Sequence, residues 1–145
     1  MGDLAKDIHS RFTSHRVKAL LNILYTANWI SSAQTSYLKS YGISPQQYNI
    51  LRILRGSAEP LKVQTIKDRM IERSPNTTRL MDKLCAKQLI SRIASEADRR
   101  VVKIKLTNKG DELLTSIPSD LNQELLKNLS EIEAEQLSTL LDKMR

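Results

Sequence analysis

The chain has 145 residues, a formal charge of +7, one cysteine and two histidines, a length that buries roughly two-thirds of the unfolded surface in a single main core. Cys85 alone excludes an intramolecular disulfide, and with only His9 and His15 beside it the chain cannot supply a Cys-rich zinc site. No run approaches the ~20 apolar residues that span a bilayer, so the expectation is a soluble, unexported protein of a reducing cytoplasm with a polyanionic partner.

Residues 15–40 read as one long helix, because Val17, Leu20, Leu21, Leu24, Ala27, Trp29 and Ile30 recur at helical spacing before Gly42. Ser44-Pro45-Gln46-Gln47 is a capping box with proline at the first helical position, which predicts a helix over 45–55 with Tyr48, Leu51, Ile53 and Leu54 inward. Gly56 and Pro60 end it, and residues 60–63 suit a short edge strand. A helix over 63–71 follows, with Val63, Ile66, Met70 and Ile71 inward, then a break at Glu72-Arg73. Ser74-Pro75 reads as an N-cap and first-turn proline opening a helix over 75–87 with Thr77, Leu80, Met81 and Leu84 buried.

The period then changes to two. Residues 89–93 and 102–106 read as strands, and the second alternates Val102, Ile104 and Leu106 against Lys103 and Lys105. The polar stretch Ser95 to Arg100 makes them a hairpin with a basic tip. Thr107 caps a helix over 108–116, Pro118 interrupts, and Leu121, Leu125 and Leu129 lead to a second capping box, Ser130-Glu131-Ile132-Glu133. The last helix carries Leu137, Leu140, Leu141 and Met144.

Charge is unevenly divided along this order. Residues 62–110 hold 13 basic and 5 acidic side chains, a net of +8, against +4 for residues 1–61 and −5 for residues 111–145. On the 75–87 helix Asn76, Arg79, Lys83 and Lys87 share the face opposite Leu80 and Leu84. Such a face fits the major groove, where Arg and Asn bond base edges in pairs, while Ser74, Thr77 and Thr78 near the N-terminus suit phosphates. Thr77 also falls on the apolar stripe, so a core role competes for it. Arg99 and Arg100 at the hairpin tip suit the narrower minor groove, with Asp98 orienting an arginine by a salt bridge.

Helix-turn-helix followed by a charged hairpin is a winged helix. The run from Asp98 to Gly110, Asp-Arg-Arg, five residues, Leu106-Thr107, two residues and Gly110, closely resembles the signature of the multiple-antibiotic-resistance regulator (MarR) family of bacterial transcription factors. Arg79 to Leu84 and Leu89 to Arg92 resemble that family's recognition helix and the strand entering its wing. The resemblance implies a mainly α protein with a small β-hairpin wing. Its parts would be an N-terminal helix in the dimerisation region (1–43), a winged helix-turn-helix DNA-binding domain (44–110) and C-terminal dimerisation helices (111–145). It further implies a homodimer that binds palindromic operators and usually represses, with Arg79 in the major groove, Arg99 or Arg100 in the minor groove and Asp98 as orienting carboxylate. Two positions depart from the pattern. Gln88 stands where the family usually has Gly, which implies a left-handed backbone or a different turn. Lys67 replaces a small residue, which implies looser packing or an ammonium that reaches a phosphate.

The DNA-binding residues expected are therefore Ser74, Asn76, Thr77, Thr78, Arg79 and Lys83 on the helix and Asp98, Arg99 and Arg100 on the wing. No nucleophile elbow, glycine-rich phosphate loop or metal-ligand cluster is present, so no enzyme and no cofactor is expected. Cys85 reads as a small semi-buried filler. The family resemblance also implies a small aromatic or phenolic effector, and Tyr25, Trp29, Tyr37, Tyr41 and Tyr48 suit the lining of its cavity, although Trp29, near the apolar stripe of its helix, better suits a core or interface anchor. An adapter that kept the scaffold without sequence readout is the competing reading; it predicts no preference between operator and random DNA. Peripheral membrane binding ranks last, because the basic helix opposes its charges to an ordinary core stripe.

Overall fold

The computed structural model describes every residue except Leu121, so the expectation placed on Leu121 lies outside the described residues. Its elements in chain order are α1 (Leu4–Asp7), α2 (His15–Lys39), α3 (Pro45–Arg55), β1 (Leu61–Lys62), α4 (Val63–Arg69), α5 (Thr77–Ala86), β2 (Ile90–Ala94), β3 (Val102–Leu106), α6 (Asn108–Ser116), α7 (Asp120–Leu126) and α8 (Glu131–Asp142). The fold is mainly helical with one small antiparallel sheet of order β1-β3-β2. Helix α1, capped by Asp3, is an element that the sequence reading did not anticipate. The chain forms two compact units, residues 35–118 and residues 1–34 with 119–145.

In the 35–118 unit both local rules and burial favour the same structure. Ser44 Oγ accepts from the Gln47 N–H at 3.1 Å and Gln47 Oε1 accepts from the Ser44 N–H at 3.0 Å, completing the expected capping box of α3. Helix α3 then buries Ile50, Leu51 and Leu54 against Ile66, Met81, Leu84, Ile90 and Ile104. Ile50, absent from the expected stripe, is fully buried. In the sheet, Leu61 pairs with Ile104 and Ile90 with Leu106, so alternation turns Ile104 and Leu106 inward and Lys103 and Lys105 to the other face, while Val102, expected on the inward row, is exposed at the wing end of the strand, beyond the reach of the core.

Ile71 corrects an expectation: it is exposed rather than inward. Helix α4 stops at Arg69 and Met70 is extended at φ −67° and ψ 138°, so the helical period no longer governs residue 71.

The other unit leaves its apolar stripes uncovered. Leu20, Leu24 and Trp29 of α2 are 52%, 54% and 51% exposed, and Ile132 and Leu140 of α8 are 68% and 62% exposed. Here Leu4 is the buried apolar residue among the described ones. The α8 capping box is in place, with Ser130 Oγ accepting from the Glu133 N–H and Glu133 Oε2 accepting from the Ser130 N–H at 2.8 Å. Those backbone and hydroxyl donors hold the Glu133 carboxyl below the usual carboxylate range.

Candidate nucleic-acid interface

The turn into α5 is built by side chains that sequence reasoning passed over. Asn49 Oδ1 of α3 accepts from the Ile71 N–H at 3.0 Å, and Gln46 Nε2 donates to Glu72 at 2.9 Å. Ser74 Oγ accepts from the Asn76 N–H at 3.1 Å, and the Ser74 carbonyl accepts from the Thr77 hydroxyl at 2.8 Å. Ser74-Pro75 therefore form a turn, and α5 starts at Thr77, two residues later than the cap pattern predicts.

Asn76, Thr78, Arg79 and Lys83 are exposed and Ser74 is half-buried. Thr77 is 1% exposed, with its hydroxyl satisfied inside the turn, so the core alternative holds and its side chain does not reach outward. Lys87 also leaves the expected row: past the end of α5, its ammonium bonds the Gly42 carbonyl.

The helix-to-wing joint explains the Gln88 departure. The Leu89 N–H donates to the Leu84 carbonyl at 3.0 Å and the Gln88 N–H to the Cys85 carbonyl at 2.9 Å, the paired bonds of a Schellman motif. That motif needs a left-handed residue, and Gln88 adopts φ 61° at a cost of about 1–2 kcal/mol relative to glycine. Because Leu89 closes the motif, β2 begins at Ile90, one residue later than the hydrophobic run suggests.

The wing signature divides into builders and free groups. Thr107 Oγ1 caps α6 by accepting from the Gly110 N–H at 3.1 Å, and donates to the Gln88 carbonyl at 2.7 Å. Gly110 is required by a close approach: a Cβ there would lie 2.2 Å from the Leu89 carbonyl oxygen. Asp98 is a builder as well. Its carboxylate accepts from the Arg100 N–H at 3.0 Å, and its carbonyl accepts from the Val101 N–H at 3.0 Å, tightening the tip. The expected Asp98 salt bridge is not formed among the described residues. Arg99 and Arg100 are exposed, and they, Arg79 and Lys83 have no carboxylate partner among the described residues.

The carboxylate that does orient an arginine here is Asp82, which lies between Arg79 and Lys83 on α5 and was assigned no role from sequence. It bonds Arg92 of β2, and that bond raises the guanidinium's affinity for its proton. The pair links α5 to the wing strand, a contact between residues ten positions apart that periodicity does not signal.

Of the aromatic residues, Tyr25 and Trp29 are exposed in the unit containing α8, while Tyr48 is half-buried in the 35–118 unit. The Tyr37 and Tyr41 rings meet at 5.8 Å, and Tyr41, Lys87, Lys109, Glu112, Leu113 and neighbours line a cleft of about 420 Å³. Cys85 is half-buried, in keeping with the filler reading. Among the described residues no cluster of His, Cys, Asp and Glu has metal-holding geometry.

Comparison with known proteins places this arrangement. The MarR family model matches residues 43–102. The HTH-type transcriptional regulator MhqR of Bacillus subtilis is 30% identical over 118 residues, covering 79% of this chain and 81% of that protein. A mutant of E. coli MarR in complex with operator DNA superposes with a TM-score of 0.76 at 26% identity, covering 99% of both chains. The S. aureus MepR–DNA complex gives 0.74 at 27% identity, covering 92% of this chain and 97% of that one. With its winged-helix fold and these relatives, the chain belongs to the MarR family of transcriptional regulators and is not an enzyme.

Proposed function

We propose that the protein is a homodimeric, sequence-specific DNA-binding repressor of the cytoplasm, relieved by a small aromatic or phenolic effector. The observation that carries this reading is the set of outward cations without carboxylate partners among the described residues, Arg79 and Lys83 on α5 and Arg99 and Arg100 on the wing. Arg79 reads a base edge in the major groove and Lys83 meets a phosphate. Asn76 and Thr78 contact the backbone at the helix start, with Ser74 beside them, and the wing arginines enter the minor groove on a tip shaped by Asp98. Relatives of the same fold, E. coli MarR and S. aureus MepR, bind DNA, which supports the assignment.

A single winged helix reads few base pairs, so two copies on half-sites about one helical turn apart supply affinity. The uncovered stripes of α2 and α8 are the surface for that pairing, with residues 1–43 and 111–145 as the dimerisation regions around the 44–110 reading domain. The cleft beside Tyr41 offers a phenol, the Lys109 ammonium, the Glu112 carboxylate and apolar walls, with the Lys87 ammonium on the Gly42 carbonyl at its edge, and we assign a small aromatic or phenolic effector to it. The single cysteine and the absence of any helix long and apolar enough to cross a membrane, among the described residues, suit the cytoplasm.

Selection of bound duplexes from random-sequence DNA tests the reading. The expected product is a palindrome with half-sites one turn apart, whose affinity falls at least tenfold when Arg79, Arg99 and Arg100 are all replaced by Ala. Enrichment of no sequence, or unchanged affinity of the triple variant, overturns it.

A further inference from the structure

The sheet carries a second row of cations on the face turned away from the core. Register sets Lys62 of β1 opposite Lys103 of β3, and Lys105 follows two residues on, while Ile104 between them is buried. Lys62 and Lys105 are exposed and Lys103 is half-exposed. On the β2 side the same face offers Ile93 opposite Lys103 and Ser91 opposite Lys105, so it carries no carboxylate in register.

Two features make this row unfavourable in the protein alone. Like charges directly opposite on paired strands repel, and Lys62 is the N-cap of α4, a cation at the positive end of a helix. The ion pairs among the described residues join Asp3 to Lys18, Asp111 to Arg55, Asp82 to Arg92, Glu124 to Lys127 and Asp142 to Arg145, and include none of the three lysines.

We infer that Lys62, Lys103 and Lys105 form a phosphate-binding track that holds the DNA backbone beyond the segment occupied by the wing tip. The inference rests on the DNA-binding reading above. The track is continuous with that tip: β3 begins two residues after Arg100, and a rise of ~3.3 Å per residue puts Lys103 about 10 Å and Lys105 about 17 Å along the strand from it. Phosphates recur every ~3.4 Å of axis on each strand of a duplex, so with β3 laid along the duplex the row covers about three to five base pairs of flank. A polyanion along it removes the Lys62–Lys103 repulsion, which no residue of the sheet does.

The test uses the full-length protein and two duplexes, the palindrome selected from random DNA and the same palindrome with ten added base pairs on each side. Wild-type protein is expected to bind the extended duplex at least tenfold more tightly at low salt. A Lys62→Gln, Lys103→Gln, Lys105→Gln variant is expected to lose that gain, to bind the short duplex as wild type does, and to melt at the same temperature or higher. On the extended duplex its plot of log affinity against log salt should be shallower by about 2.7 for each protomer engaged, from ~0.9 per phosphate contact. No wild-type gain from the flanks, an equal loss on both duplexes, or lysine-dependent binding only to vesicles of phosphatidylglycerol and phosphatidylcholine would overturn the inference. The DNA-binding reading fails separately, if wild-type protein binds the palindrome no better than a scrambled duplex.

Discussion

The two compact units use the same helical alphabet and end in opposite conditions. Residues 35–118 bury fourteen apolar side chains, from Leu38 to Ile117, in one cluster among the described residues, whereas the unit containing α8 buries Leu4 and leaves Leu20, Leu24, Trp29, Ile132 and Leu140 more than half exposed. An amphipathic repeat specifies that a helix forms and which face is apolar. It does not specify what covers that face. In the 35–118 unit the cover comes from within, because three strands, helices α3 to α6 and the end of α2 meet around Ile50 and Ile104. In the other unit the described residues supply no such cover, and the second copy proposed above would provide it.

The largest expected effect breaks that second copy. Replacing Leu20 and Leu140 by Glu places unpaired charge in the proposed interface at a cost of several kcal/mol. Sedimentation velocity should then show monomer, with operator binding lost. A variant that stays dimeric removes the uncovered face from the argument. On the other side of the comparison, Gly110→Ala forces a Cβ onto the Leu89 carbonyl and should destabilise the 35–118 unit by about 3 kcal/mol, read by urea unfolding. Arg79→Ala leaves both units folded and should weaken the selected palindrome by about 1–3 kcal/mol per half-site while affinity for random DNA changes little, as measured by competition titration.

Two smaller effects sharpen the picture. Gln88→Gly should raise stability by about 1 kcal/mol, because glycine takes the left-handed conformation at no steric cost and the hydrogen bonds of the motif are made by the backbone. An unchanged or lowered melting temperature would count against the Schellman account. The Glu133 carboxyl is held below its usual range, so its contribution to the α8 cap is present above the ordinary Glu value of ~4.3 and disappears as pH falls through the lowered one. Far-UV circular dichroism from pH 6 to pH 2 should show wild-type protein and Glu133→Gln converging at the acid end.

The sequence made most local features legible. Both capping boxes, the edge strand at residues 61–62, the alternation of β3 and the Thr107 cap follow from residue types at fixed offsets, while the family resemblance left Gln88 either a left-handed backbone or a different turn and the first is found; the Asp3 cap of α1 was missed. What it left out is set by contacts between distant residues. Asp82 lies between Arg79 and Lys83, and nothing in the sequence marks Arg92 of β2 as its partner. Asn49 and Gln46 gave no sign that they would hold the chain at Ile71 and Glu72, just before the Ser74 turn that sets the start of α5 at Thr77 rather than at Pro75. Asp98 was assigned to an arginine side chain because the charge pairing is obvious in sequence. The backbone N–H of Arg100 is closer and needs no rotamer to be fixed.

The joint between α5 and the wing is fastened three times over, by the Schellman bonds at Leu89, by the Thr107 hydroxyl on the Gln88 carbonyl and by Asp82 on Arg92. These bonds set one spacing between helix and hairpin, like the opening of a caliper. In the DNA complex proposed above, the base step met by Arg79 and the step met by Arg99 or Arg100 are separated by a distance written into the protein. One base pair inserted between those two steps should displace the wing arginines from their groove even though every contacted base is still present, because the three fastenings hold helix and hairpin at one spacing.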